Sequence, residues 1–213
     1  MPNPYVLALC SHKGGTGRST AAAALAWCFG RAGLDVVLVD ADEVRAVSLI
    51  ARDIDGDCHW PHVRLCRSPE EASELPAAHL WLIDCPSLME PAAVPVLERA
   101  NGVILTCLAD PLSLRTLPAA ATSLDAARVA NPKLELLGML VGIYEEGDAL
   151  QSAMLAQVRE RHGELLLEPP IPLQPEVRDW PLALGGLPSG PASEAFFAVA
   201  RSLDAWIRAG PRG

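Results

Sequence analysis

Short, wholly apolar runs alternate along the chain with longer stretches whose apolar positions recur at helical spacing. That is the pattern of buried parallel strands separated by covering helices. The run YVLALC at 5–10 reads as a buried strand, and after a glycine-rich loop STAAAALAWCFGRAG reads as an alanine-rich helix stopped by Gly33. A second strand is predicted over 36–39 and ends in DAD. HLWLID predicts a third, ending at Asp84, GVILTCL a fourth and LELLGMLVG a fifth. Between the last two, 112–130 is largely helical, with Pro118 either kinking the helix or marking a late start. Leu150, Met154, Leu155 and Val158 predict a helix over 148–162, and a last helix is predicted over 193–208. Two segments lack a period. The stretch 51–75 reads as irregular with one short helix near Glu70, and the proline-rich EPPIPLQPEVRDWP reads as a loop. The whole predicts an α/β fold: a single doubly wound, mostly parallel sheet flanked by helices, with 1–213 forming one domain.

Composition narrows the picture. Half of the 213 residues are hydrophobic and 20% are charged, a globular balance. The net charge of -9 argues against a strongly electrostatic nucleic-acid binder, although it leaves room for a local basic patch. The six cysteines include no C-x-x-C pair, which disfavours a zinc ribbon, a dithiol redox site or a closely spaced iron–sulfur motif. Cys10, Cys85 and Cys107 lie in or beside apolar runs and read as small buried hydrophobes. There is no secretory pattern and no apolar stretch of bilayer length, so a cytosolic setting is expected.

The chemistry concentrates in CSHKGGTGRST, from Cys10 to Thr20. A glycine-rich turn between a strand and a helix N-terminus aims backbone N–H groups and the positive end of the helix dipole at an anion. Gly14, Gly15 and Gly17 let the backbone curl around a phosphate, and Ser19 carries the small hydroxyl that Mg²⁺ takes as a ligand. VVLVDAD sets Asp40 and Asp42 just past one predicted strand and LWLIDCP sets Asp84 at the end of another. In a parallel sheet these carboxylates reach the same edge as the glycine loop, where they can hold the water shell of a metal or orient an attacking water. Each alone could equally cap a following helix.

KGGTGRST resembles the deviant Walker A motif of the ParA/MinD family of ATPases, VVLVDADE its second motif and LWLIDCPS its Walker B strand. ADPLSLRTL, NPKLELLGMLVGIY and IPLQPEVRDWPLALGGLP are similar to later stretches of the family, so the likeness covers essentially the whole chain in a compact, P-loop NTPase-like form. The resemblance implies ATP/ADP and Mg²⁺ as cofactors. It implies that Gly14, Gly15, Thr16, Gly17, Arg18, Ser19 and Thr20 cradle the phosphates, and that Ser19, Asp40 and Asp84 serve the metal. Asp42 would position the hydrolytic water, Lys13 would reach across an ATP-bound homodimer to the partner's phosphates, and the loop carrying Pro172, Leu173 and Gln174 would line the adenine pocket. A stimulating adaptor, ParB-like or specific to a cargo, is the implied protein partner.

The chain departs from the family pattern at Arg18, which stands where the family has its phosphate-contacting lysine. Arginine is a longer, planar fork that does not occupy the space of an ammonium. The expectation is weakened nucleotide binding with slow or absent hydrolysis, so that Lys13, Asp42 and Arg18 form the catalytic set of a slow ATPase; the alternative is a loop that adjusts and works normally. A nucleotide-sensing module without turnover is a second reading, and a carboxylate-phosphorylating ligase of the same superfamily a third. With only Lys13 and Lys133 as lysines, DNA contact through Arg159, Arg161, Arg178, Arg201 and Arg208 is expected to be weak and salt-dependent, since scattered solvated charges explain those arginines as well. Any nucleoid association would rest on such contact. Phe196, Val199, Leu203, Trp206 and Ile207 form an apolar stripe expected to pack on the domain itself rather than on a membrane, as a MinD-like protein would require. Cys58, His59, Trp60 and His62 are expected in a surface loop, short of a complete metal ligand set.

Overall fold

The computed structural model describes residues 3–183 and 185–209. In chain order the elements are β1 Tyr5–Cys10, α1 Arg18–Arg31, β2 Val36–Asp40, α2 Ala46–Ala51, β3 Val63–Cys66, α3 Pro69–Glu74, β4 Leu80–Asp84, α4 Val94–Arg99 and β5 Gly102–Leu108. They continue with α5 Pro111–Ala130, β6 Glu135–Gly142, α6 Ala149–His162, β7 Leu166–Leu167, α7 Pro175–Arg178, α8 Trp180–Ala183 and α9 Pro191–Ala209. The strands form one sheet in the order β3-β2-β4-β1-β5-β6-β7. Every pairing between the named strands is parallel. All strand carboxyl ends therefore face one edge, with β1 at the centre.

Strand periodicity divides the interior in two. Tyr5, Leu7 and Leu9 of β1 enter one core with α1, α2 and α9, while Val6, Ala8 and Cys10 enter the other with residues of α3, α4, α5 and α6. The alanine run of α1, buried from Ala21 to Ala24, lets that helix lie close on the sheet. Phe196, Val199, Leu203 and Ile207 of α9 are buried in the same core, so the apolar stripe of the last helix packs on the domain, as its pattern predicts. Among the described residues no helix is long and apolar enough to cross a membrane.

Three predicted segments differ from the structure. The 51–75 stretch is not irregular throughout, since it holds β3, a four-residue edge strand paired only with β2. Its mixed VRLC sequence follows from that edge position, where the two central side chains are half-buried. Helix α5 runs from Pro111 to Ala130 as predicted, but it starts well before Pro118, so that proline does not mark a late start. Proline's φ is helical, one lost N–H is its main burden, and burial of Ala120 and Leu124 beyond it holds the helix together. The proline-rich loop contains α7 and α8, each four residues long. Pro175 opens α7 at its first position, where a missing N–H costs nothing.

The segment 58–62 is a loop whose His59 and His62 are exposed, and only Trp60 departs from the surface expected there. Trp60 is buried, its ring stacked on Trp180 at 5.3 Å and edge-on to Trp27 at 5.6 Å. Its indole N–H donates to the Gly185 carbonyl at 2.8 Å, and that of Trp180 donates to the same oxygen at 3.2 Å. His59 pairs with Asp55 and His62 with Asp35.

Truncating Phe196, a large and almost fully buried side chain, is expected to lower stability by about 3–5 kcal/mol as Phe196→Ala. Leu182→Ser, at an exposed position, should stay within about 0.5 kcal/mol of the parent. Urea denaturation followed by circular dichroism measures both, and equal effects would contradict the assigned burial of α9.

Candidate functional site

The loop between β1 and α1 turns sharply because Gly15 and Gly17 adopt φ of 76° and 77°, a left-handed conformation that side chains other than glycine resist. Gly17 is the N-cap of α1, whose first turn has no acidic residue and no side-chain cap. Its leading amides are therefore left for an anion from outside the helix. Beyond them, Thr16 is buried, its hydroxyl 2.9 Å from that of Thr106 at the end of β5, which fixes the loop to the sheet. Gly142, the last residue of β6, lies so close that a Cβ there would sit 2.9 Å from the Thr16 carbonyl oxygen.

The three acids converge as their strand-end positions predict. Asp40 and Asp84 are partners in register across β2 and β4, both fully buried, and Asp42 follows two residues after β2. One oxygen of Asp40 accepts the Ser48 amide at 2.8 Å; one oxygen of Asp42 accepts the Val44 amide at 2.8 Å. Asp40 Oδ1 and Asp84 Oδ2 are buried without a hydrogen-bond partner. Two orphaned carboxylate oxygens beside the Ser19 end of the phosphate loop are hard-oxygen donors of the kind a divalent cation takes, so the residues fit Mg²⁺.

Arg18 binds this acidic cluster directly. Its Nε donates to Asp84 Oδ1 at 2.7 Å, one terminal nitrogen donates to Asp42 Oδ2, and the other donates to the Ser11 hydroxyl at 3.2 Å. Burial works against the guanidinium charge, but Asp84 and Asp42 outweigh it and hold the Arg18 pKa above its ordinary value. Burial pushes the Asp84 carboxyl up. The Arg18 charge and the nearby Ser19 hydroxyl oppose that rise without cancelling it.

Lys13 points elsewhere. Its ammonium pairs with Asp110 Oδ2 at 2.8 Å, at the start of α5, where Asp110 also caps the helix by accepting the Ser113 amide at 2.7 Å. Partial burial disfavours the ionised Asp110, yet the Lys13 ammonium and the Ser113 amide hold its carboxyl below the usual range.

Beside the phosphate loop opens a cavity of about 260 Å³ whose walls include Thr20, Ile143, Ile171, Pro172, Leu173 and Phe196. Pro172 is placed there by a parallel bridge to Tyr144. Gln174 lines the cavity too, but its amide is already used: it donates to the Ser189 carbonyl and accepts the Ala192 amide, each at 3.0 Å. Gln174 thereby clamps the loop to the start of α9. Ile143 adopts φ 54°, unusual for a β-branched residue, and borders both Gly17 and the cavity.

Ser11, Thr106, Asp110, Gly142 and Ile143 were not legible as site residues from their types. Each nevertheless lies within two residues of a strand's carboxyl end, the signal that marks the three aspartates. Of the C-terminal arginines, Arg159, Arg178 and Arg208 pair with Glu168, Asp179 and Asp204 at 2.8, 2.8 and 2.6 Å.

Residues 7–183 match the CobQ/CobB/MinD/ParA nucleotide binding domain. The chain is similar to the chromosome-partitioning ATPase Soj of Thermus thermophilus, 27% identical over 239 residues that cover 95% of this chain and 96% of Soj. Its fold is similar to that of cobyrinic acid a,c-diamide synthase from Mycobacterium smegmatis, solved with a bound ATP analogue and magnesium. The TM-score is 0.79 at 21% identity, covering 98% of this chain and 97% of that one. The MinD cell division protein of Aquifex aeolicus gives a TM-score of 0.78 at 18% identity, covering 94% and 97%. With a glycine loop opening onto α1, strand-end acids across from it and a match that spans most of the sheet, the chain belongs to the CobQ/CobB/MinD/ParA family of nucleotide-binding domains.

Proposed function

We propose that the chain is a ParA-like ATPase switch, a single nucleotide-binding domain that dimerises with ATP and resets on hydrolysis. The observation that carries this reading is the convergence of the uncapped amides of α1, the buried pair Asp40 and Asp84, and Asp42 on one sheet edge. The likeness to Soj along nearly the full length of both proteins supports a partition or positioning role, for DNA or for a protein cargo.

In this reading the amides of 14–20 bind the β- and γ-phosphates, and the cavity walled by Ile143, Ile171 and Pro172 takes the adenine ring. Ser19, Asp40 and Asp84 hold Mg²⁺, which when bound neutralises charge on the phosphate oxygens. Asp42 accepts a hydrogen bond from the attacking water and aligns it. Lys13 leaves Asp110 to meet the phosphates of a partner subunit, so the pair in the free chain keeps a half-buried cation in reserve. A ParB-like or cargo-specific adaptor would stimulate the reaction. DNA contact, if the switch uses it, is weak, because three of the five C-terminal arginines are neutralised locally. The α9 stripe does not serve a membrane-riding role in this reading, since it is buried in the domain.

Slow turnover follows from Arg18. The guanidinium that should serve the phosphates holds Asp42 and Asp84, and its planar fork does not reproduce the point charge of lysine. The same contact favours a second reading, a nucleotide-binding module with little turnover.

Light scattering should show a monomer becoming a dimer on addition of Mg-ATP, and a mass unchanged by ATP would remove the switch. Asp42→Ala should accumulate the ATP dimer, whereas a variant that stays monomeric while its parent dimerises would contradict the role given to Asp42. Arg18→Lys should raise phosphate release by roughly tenfold, about 1.4 kcal/mol of barrier, in a coupled phosphate assay. Equal rates in the two proteins would assign slow turnover to something else.

A further inference from the structure

The side-chain arrangement around Arg18 carries more than a slow reaction. Asp40, Asp42 and Asp84 bring three carboxylates to one sheet edge, and Arg18 is the cation that engages two of them. Arg45, close by in sequence, does not substitute for it: its guanidinium donates to the backbone carbonyls of Asp40 and Arg67 rather than to a carboxylate. The Arg18 fork spans its three partners with three different nitrogens, which a lysine ammonium on a shorter stem does not do. Its side chain is 12% exposed and that of Asp84 is 0% exposed, so water does little to screen the pair.

The oxygens left over, Asp40 Oδ1 and Asp84 Oδ2, are the orphaned pair. A divalent cation at those two oxygens would share the Asp84 carboxylate with the guanidinium, two cations on one buried carboxyl group. Repulsion between them in a poorly screened site opposes joint occupancy. A phosphate at the N-terminus of α1 changes that balance, because it offers the guanidinium a single anion that its planar fork can meet with two nitrogens at once.

We propose that Arg18 is an internal counter-ion that imposes an order of binding: nucleotide phosphate first draws Arg18 away from Asp84 and Asp42, and only then do the acids accept the divalent metal. The inference rests on the nucleotide-binding reading of the loop, though not on dimerisation or hydrolysis. Free protein then binds metal poorly, and metal-free nucleotide binds well because Arg18 supplies the missing positive charge.

The test uses Mn²⁺ as the metal probe, with free Mn²⁺ read by electron paramagnetic resonance, and ADP in EDTA as the nucleotide probe, read by calorimetry. In the absence of nucleotide, Arg18→Ala should bind Mn²⁺ at least tenfold more tightly than the parent, and saturating ADP should tighten Mn²⁺ binding by the parent at least tenfold. In EDTA, Arg18→Ala should bind ADP at least tenfold more weakly than the parent. If Arg18→Ala fails to fold, as a thermal melt would reveal, Arg18→Gln removes the charge while keeping a polar side chain at the position and carries the same expectations. Parent protein that binds Mn²⁺ without nucleotide as tightly as the variant overturns the proposal, as does metal-free ADP binding that is indifferent to residue 18. A parent that binds no ADP under any condition defeats the nucleotide reading itself, whereas ADP binding combined with unchanged Mn²⁺ affinities defeats only the ordered exchange.

Discussion

The grip of Arg18 on Asp84 and Asp42 is the contact through which the rest of the site communicates. It joins the first residue of α1 to the last residue of β4 and to the turn after β2, three segments far apart in sequence. An unpaired charge in such a place is expensive, so the acids and the arginine need one another unless other ions arrive. In the ordered exchange proposed above, nucleotide binding begins with a change of those partners.

The sheet makes the contact possible. Parallel pairing of β2 with β4 puts Asp40 directly beside Asp84, and β1, next to β4, delivers the glycine loop at the same level. The close approach of Gly142 to the Thr16 carbonyl and the hydroxyl contact of Thr16 with Thr106 fix that loop from the β5–β6 side. The Trp27, Trp60 and Trp180 cluster lies behind, joining α1, the segment after α2 and the start of α8. Movement of either segment on ligand exchange would be felt in that stack.

Much of this was legible in the sequence because the signals were local. Apolar runs ending in Asp, and glycines before Ser19 and Thr20, need no tertiary information to read. What stayed hidden depended on distant partners. The VRLC edge strand looks irregular because one side of its ladder is unpaired, and Trp60 looks like a surface residue until Trp180, far along the chain, covers it. Gln174 sits in a stretch expected to line a pocket and does so, but only the structure shows its amide spent on Ser189 and Ala192. Arg18 was visible as a departure from the lysine of the resemblance, whereas its carboxylate partners were not, since side-chain direction is set by packing rather than by order along the chain.

The most direct test of the account is the arginine Nε–H region of a nitrogen-15 spectrum of the free protein, followed through a titration with ADP in EDTA. Arg18 Nε donates into a fully buried carboxylate and should give one exchange-protected resonance that is missing in Arg18→Lys. The account predicts that this resonance shifts as ADP binds without metal, because the guanidinium changes partners. A protected resonance that stays in place at saturating ADP would mean that Arg18 keeps its acids while nucleotide is bound, and would contradict the account.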